Sequence, residues 1–460
     1  MKRIAIIGGG IAGLSAAYFL EKARRAGAPL QWTLFEKSKR LGGVIRTEQQ
    51  DGFVLEAGPD SFLTAKPDAL ALCRELGIED QIIPSNDAIR KTYILAKNRL
   101  IEIPDGLQFM VPTRILPIAA TPLFSWGTKL RMARELLIRP GSMNGDESVA
   151  TFVRRHFGQE MVDRIAEPLL AGVYGGNAEH LSMRAVLPMF AAMERDHGSL
   201  ARASLKAKKQ ATAAGTKPAP LFSSLKNGLQ QMLNALMPTL DPQALRLQQT
   251  VTGVVRGNDE WNITAGDGSH SFDSILLGIP ATSAAALLAS VDQEISSRMA
   301  RIQYTSSAAV AVAFDKVDLP PGFGYLVPGT EGKKMMACTF VHNKFSYRAP
   351  KGSALLRCFF SSSRVPDLLK LSDDDLERAA LEELREVLGL TAAPRFVRVF
   401  RWNQGLPQYE TGHLERVAEI HSRLESLPGL NIIGNSFYGV GIPDCIKSGR
   451  QAVEKLIQGQ

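Results

Sequence analysis

Residues 3–36 constrain the fold more tightly than any other part of the chain. Residues 3–7 are a short apolar run of the kind buried in a parallel sheet. Gly8, Gly10 and Gly13 follow in GxGxxG spacing, and residues 12–26 have helical periodicity, with Leu14, Ala17, Tyr18 and Leu20 on the packing side. Residues 31–36 form a second apolar strand that ends on an acid, Glu36. Strand, glycine turn, helix and strand predict one βαβ unit built to hold a dinucleotide. Gly8 permits the tight turn, Gly10 lets a pyrophosphate approach the backbone, and Gly13 lets helix and strand touch. The helix start meets the phosphates with free N–H groups. Glu36 is placed to accept bonds from ribose hydroxyls and would repel the extra phosphate of NADP.

The sequence after Glu36 decides between NAD and FAD. Gly42 and Gly43, in "KSKRLGGVIRT", make another close-approach turn that a plain NAD dehydrogenase does not need. "EAGPDSF" at 56–62 and "GNSFYGVGIPDCIKSGR" at 434–450 offer more exposed backbone. A long FAD lying across the domain needs backbone along its whole length, so FAD is favoured. The last glycine stretch then supports the far end of the same cofactor, ahead of a helix whose start favours negative charge.

With 460 residues the chain is long enough for two or three domains and a sizeable core. The four cysteines are scattered without a CxxC pair, and the seven histidines show no close metal-ligand spacing, so neither a disulfide framework nor a metal is expected. The net charge of +8 suits an anionic small substrate or an anionic membrane surface. No nucleic-acid motif appears, and nucleic acid is not an expected partner. The start lacks a signal peptide and no apolar run is long enough to span a bilayer, which predicts a cytoplasmic protein. Residues 104–140 mix apolar stretches, Trp126 and five basic residues with only Asp105 and Glu135 as acids. A helix lying on the inner face of a membrane and the wall of an apolar channel both fit that composition. Residues 206–220, "KAKKQATAAGTKPAP", read as a mobile basic surface loop.

Taken together these segments resemble a known family, the oxygen-dependent porphyrinogen oxidases of the flavin amine-oxidase-type superfamily. The resemblance spans nearly the whole chain. It rests on "GGGIAGLSAAY", "EKSKRLGGVIRT", "GPDSFLTAKP", "PLLAGVYGGNAEHLSMRAVLP", "NGLQQMLNAL", "GFGYLVP", "KFSYRAPKG", "RWNQGLPQYETGH" and the closing "GNSFYGVGIPDCIKSGR". It implies an α/β (α+β overall) fold: a Rossmann-like FAD-binding domain from three segments, a mixed-sheet substrate domain and a helical subdomain. The implied division is 1–86, 221–290 and 396–460 for FAD, 87–110 and 291–395 for substrate, and 111–220 for the helical, membrane-facing part. The implied FAD contacts are Gly8, Gly9, Gly10, Ile11, Ala12 and Gly13; Glu36 and Lys37; Gly42, Gly43 and Val44; and Gly58, Pro59, Asp60 and Ser61 beside the isoalloxazine. Val251 near the adenine, Trp402 near the flavin, and Val440, Gly441 and Ile442 near the flavin and ribityl chain complete the set. Two positions depart from the family pattern. Val44 stands where a basic residue is frequent, leaving Arg40 or Arg46 to supply charge, and Ala57 stands where relatives often have arginine.

The implied reaction turns coproporphyrinogen III or protoporphyrinogen IX into the porphyrin for haem synthesis. Six electrons leave in three hydride transfers to flavin N5, with oxygen reduced to peroxide. Partners implied are the porphyrinogen, O2, a peripheral membrane contact and a transient contact with the next haem-pathway enzyme. An amine oxidase, a carotenoid desaturase and a non-catalytic porphyrin or FAD carrier are the alternatives. No side-chain base is assigned, because the cofactor carries the chemistry. The substrate needs a flat apolar slot and cations for its propionates. Lys66, soon after the GPDSF turn, is the basic candidate, with a plain surface lysine as its alternative. Tyr174, Phe323, Tyr325 and Phe345 are candidate walls, with core packing as theirs. Arg348 reads as a surface residue, with a substrate carboxylate as its alternative, Asp444 as a helix cap and Asp60 as an organiser of its own turn.

Overall fold

The computed structural model describes residues 1–140, 145–213 and 219–458. The predicted βαβ unit is present as strand Lys2–Ile7, helix Ile11–Arg25 and strand Leu30–Glu36. These strands sit inside a five-stranded parallel sheet in the order 245–247, 30–36, 2–7, 274–277 and 430–432. Three distant stretches of chain therefore complete one sheet. The last helix, Ile442–Gln458, lies on the first. Gly449 makes that contact, since a Cβ there would stand 2.6 Å from the Ala12 carbonyl oxygen.

A second sheet of seven strands runs in the order 396–407, 304–314, 354–361, 337–340, 324–326, 92–96 and 99–102. Its pairings are antiparallel except for 324–326 beside 92–96. Strand alternation gives it two different faces. One carries Val310, Tyr325, Phe340, Leu356, Cys358 and Phe360 against helix Asp373–Leu388. The other carries Ala311, Ala313, Leu355 and Phe400 against the hairpin Thr47–Gln50 and Phe53–Glu56. Strand Phe396–Pro407 pairs along Tyr304–Phe314, so the sheet continues to 407 and does not stop at the boundary expected at 396.

The described residues between 115 and 213 are mainly helical around a third core that includes Phe152, Phe157, Ile165, Leu170 and Leu200. Helix Leu200–Ala213 replaces the first half of the loop expected at 206–220. Leu200 and Ala201 are buried in that core, and the alanine- and lysine-rich run that follows has high helix propensity. Residues 214–218 of the expected loop lie outside the described residues. Among the described residues no helix is long and apolar enough to cross a membrane.

Candidate functional site, a two-part flavin cradle

The glycines of the first turn divide their work as their geometry requires. Gly8 has φ +108°, and a Cβ there would lie 2.5 Å from the Gly278 carbonyl oxygen. A Cβ on Gly13 would stand 1.9 Å from the Gly8 carbonyl oxygen, so helix and strand touch there. Gly10, by contrast, faces open space with no atom within 4 Å of its missing Cβ. It is also the residue before the first helical turn, whose N–H groups point outward. That opening suits the pyrophosphate of a dinucleotide. Ile11 and Ala12 form the helix start behind it and are buried. Glu36 lies against this turn: its Oε2 accepts from the Gly9 N–H at 2.7 Å and its Oε1 from the Ser38 N–H at 2.8 Å. Each carboxylate oxygen keeps acceptor capacity for a hydroxyl. Lys37 is exposed beside it, and the Gln249 N–H bonds the Glu36 carbonyl at 3.0 Å, which brings half-buried Val251 to the same edge.

From Gly10 the cradle continues without a break. A Cβ on Gly43 would sit 3.2 Å from the Gly10 Cα, and one on Gly58 would sit 2.0 Å from the Val44 carbonyl oxygen. Val44 is exposed and meets this path with its backbone. Arg40 supplies the charge here: its guanidinium donates to the carbonyls of Leu41, Gly43 and Ile45. Arg46 is engaged with Glu48 instead. Beyond Gly58, the Trp402 indole donates to the Ala57 carbonyl at 2.8 Å. Arg357 donates to the carbonyls of Ala57 and Gly58. Pro59, Asp60 and Ser61 follow. The Ser61 hydroxyl donates to Asp60 at 2.7 Å and Lys344 to Asp60 at 3.1 Å. Burial opposes charge on Asp60, but Lys344 and Arg357 outweigh it and hold the carboxyl well below its usual range.

The closing half is built from the C-terminal turn. Gly439 has φ +143°, and a Cβ there would lie 2.5 Å from the Asp444 carboxyl carbon. The Gly441 N–H donates to Asp444 at 3.2 Å. Asp444 therefore sits inside the first turn of helix Ile442–Gln458 and ties the loop to it. Lys66 reaches across the cradle to the same carboxylate, 2.7 and 2.6 Å from its two oxygens. Val440 and Tyr174 pack on the apolar cluster that contains Tyr409. Burial first and Asp444 second push the Tyr174 phenol up to about 12. The turn thus gathers Lys66, Tyr174, Val440, Gly441, Ile442 and Asp444 in one place.

Tyr409 and Gln408, both within "PQYETGH", hold this end. The Tyr409 hydroxyl donates to the Asn435 carbonyl at 2.6 Å and accepts from the Gly439 N–H at 2.8 Å. His413 stacks on its ring at 4.0 Å and bonds the Phe437 carbonyl. Burial lowers His413 to about 4, so the ring is neutral at physiological pH. Gln408 donates to the Tyr174 carbonyl at 2.8 Å and fills the space that Gly176 leaves open. In this way "PQYETGH" braces both "AGVYGG" and the closing glycine turn. The two-residue spacing of Tyr409 and the glycine that begins the next helix was the only local signal.

The remaining aromatic candidates take the core-packing alternative, and Arg348 meets a different environment from the one expected. Tyr325 is not brought to this site: it points into the core against helix Asp373–Leu388, with its hydroxyl 3.7 Å from the Met335 sulfur. Phe323 is buried beside it in the chain, its backbone bonded to Lys91 and Phe340, and Phe345 is fully buried. Arg348, expected at the surface, is fully buried. It donates to Ser224, Leu225 and Lys226 and stands 3.8 Å from Glu56.

Residues 11–457 of the chain match the family pattern of the flavin containing amine oxidoreductases. The chain belongs to that family. It is therefore a flavin-dependent oxidoreductase, and the open side of Gly10 leaves room for the pyrophosphate of an FAD. Coproporphyrinogen III oxidase of Bacillus subtilis is 34% identical to it over 99% of this chain and 98% of its own. The mitochondrial protoporphyrinogen oxidase of Nicotiana tabacum is 26% identical over 99% and 95%. A solved structure from Exiguobacterium sp. 255-15, provisionally named a protoporphyrinogen oxidase, is 30% identical with a TM-score of 0.88, covering 100% of this chain and 99% of that one.

Proposed function

We propose that the protein oxidises a porphyrinogen, coproporphyrinogen III in the first place, to the corresponding porphyrin. The observation that carries the choice is end-to-end similarity at 34% identity to a relative named for that substrate. Bound FAD supplies the redox chemistry, taking electrons two at a time and passing them to oxygen. The chain's own residues bind and orient. Lys66, half-exposed beside the closing turn, offers an ammonium to a substrate propionate. Tyr174, neutral across the physiological range, gives a flat wall next to it. No side chain here is cast as a base, since pyrrole N–H protons can leave to solvent.

Anaerobically prepared coproporphyrinogen III and protoporphyrinogen IX, mixed with oxygen and followed by porphyrin fluorescence, test the substrate. A kcat/KM at least tenfold higher for the four-propionate substrate is expected, as roughly 1.4 kcal/mol of added charge pairing would give. Equal values would refute a preference.

A finer reading concerns location. Ile115, Leu116, Trp126, Leu130 and Leu137 are 65% to 82% exposed. Lys129, Arg131 and Arg134 stand among them, while Glu135 is buried away from the surface. Lys129 lies over the Trp126 ring at 4.6 Å. Apolar side chains interleaved with cations suit an anionic bilayer surface. Flotation with phosphatidylserine vesicles is expected to carry the protein, and neutralising Lys129, Arg131 and Arg134 to release it with activity retained. A wild-type protein that stays at the bottom of the gradient would sink this reading.

A further inference from the structure

We propose that Arg357, assisted by Lys344, is a positioning residue that tunes the electron affinity of the bound flavin. The inference rests on the FAD reading of the cradle and adds a specific role within it.

Arg357 lies on strand Ala354–Ser361, an interior strand of the seven-stranded sheet. Its neighbours Leu356 and Cys358 point to helix Asp373–Leu388, so Arg357 points the other way, to the cradle. There it clamps the carbonyls of Ala57 and Gly58, where the Trp402 indole also lands. It is 6% exposed, and its guanidinium lies 4.8 Å over the Phe359 ring.

The charges around it do not balance. Arg357, Arg348 and Lys344 face two carboxylates, Asp60 and Glu56. Burial lifts the Glu56 carboxyl to about 7, so near neutral pH the negative side is weaker still. The Nε atoms of both Arg357 and Arg348 are buried and have no partner among the described residues. A surplus buried cation costs several kcal/mol unless an anion arrives to meet it. A carbonyl clamp alone does not explain it, because a neutral amide could donate the same bonds. A flavin that has taken up two electrons carries the missing negative charge, and a fixed cation in a low-dielectric site favours that form. The same clamp keeps the Ala57–Gly58 turn in place on the Val44 backbone.

The test uses FAD-loaded wild type, Arg357→Gln, Arg357→Lys and Lys344→Gln. The flavin midpoint potential of each is measured anaerobically against a reference dye, with thermal melting in parallel. Arg357→Gln is expected to weaken the preference for reduced over oxidised FAD at least tenfold, about 30 mV for a two-electron couple. Arg357→Lys recovers most of that loss, and Lys344→Gln shifts the potential in the same direction by less. An Arg357→Gln holoenzyme with the wild-type potential overturns the proposal. Should that variant retain no FAD, Lys344→Gln decides, and an unchanged potential there overturns it. Wild-type protein purified without flavin would instead overturn the FAD reading itself.

Discussion

Gly10→Val is expected to give a folded, colourless protein. Gly10 has an ordinary φ of −72°, and its missing Cβ meets nothing within 4 Å. A valine there disturbs neither backbone nor core, and its methyl groups fill the opening reserved for the pyrophosphate. FAD affinity should fall by at least about a hundredfold, roughly 2.7 kcal/mol. Gly13→Ala is the contrasting change, three residues away. Its Cβ would fall 1.9 Å from the Gly8 carbonyl oxygen, so the first helix must move off the first strand. Overpacking at that contact should cost about 3 kcal/mol of stability before any cofactor is considered. Absorbance of the purified proteins in the flavin bands and their melting curves as apoproteins separate the two. A yellow Gly10→Val protein would contradict the proposed course of the cofactor. A Gly13→Ala apoprotein as stable as wild type would contradict the packing role.

The turn that carries those two glycines was legible in the sequence because it depends on a local pattern. Strand, turn, helix and acid lie within 36 residues, and each requirement shows as a residue type at a fixed offset. The closing turn was legible for a similar reason, since Gly439 and Gly441 announce close backbone contact ahead of a helix. What could not be read is pairing across distance. Asp60 is held by Lys344, 284 residues away, and nothing near either residue announces the other. Alternation in residues 324–326 shows that Tyr325 and its neighbours face opposite sides, but not which side sees the cofactor. Arg348 reads as a surface residue in "YRAPKG" because arginine beside proline and glycine usually is one. The helix at 200–213 was missed because its lysines mask a run whose first turn is anchored by buried Leu200 and Ala201.

Arg348→Met is expected to destabilise the protein by about 3–5 kcal/mol at around pH 8, and by clearly less at around pH 5.5. The guanidinium reaches from the loop before strand Ala354–Ser361 to Ser224, Leu225 and Lys226, and faces Glu56 in a site where both side chains are almost wholly buried. Glu56 in turn accepts from the Leu229 N–H at 2.7 Å and the Thr47 hydroxyl at 2.8 Å. Burial raises Glu56 to about 7, against the opposing pull of Arg348, those two donors and Arg357. An acid whose folded pKa lies above its unfolded value contributes stability while protonated, below the unfolded pKa. That contribution is lost as pH rises through about 7. Between the model-compound range and that value the loss is roughly 3 kcal/mol. Removing Arg348 takes away the charge that makes the ionised form tolerable, so the penalty falls on the alkaline side. Glu56→Gln removes the titrating group, flattens the wild-type slope between about pH 5 and pH 8, and in the double variant makes the Arg348→Met cost independent of pH. Urea midpoints of the four proteins at the two pH values give the cycle. An Arg348→Met cost that is the same at both pH values, with Glu56 intact, would mean that the two side chains are not coupled.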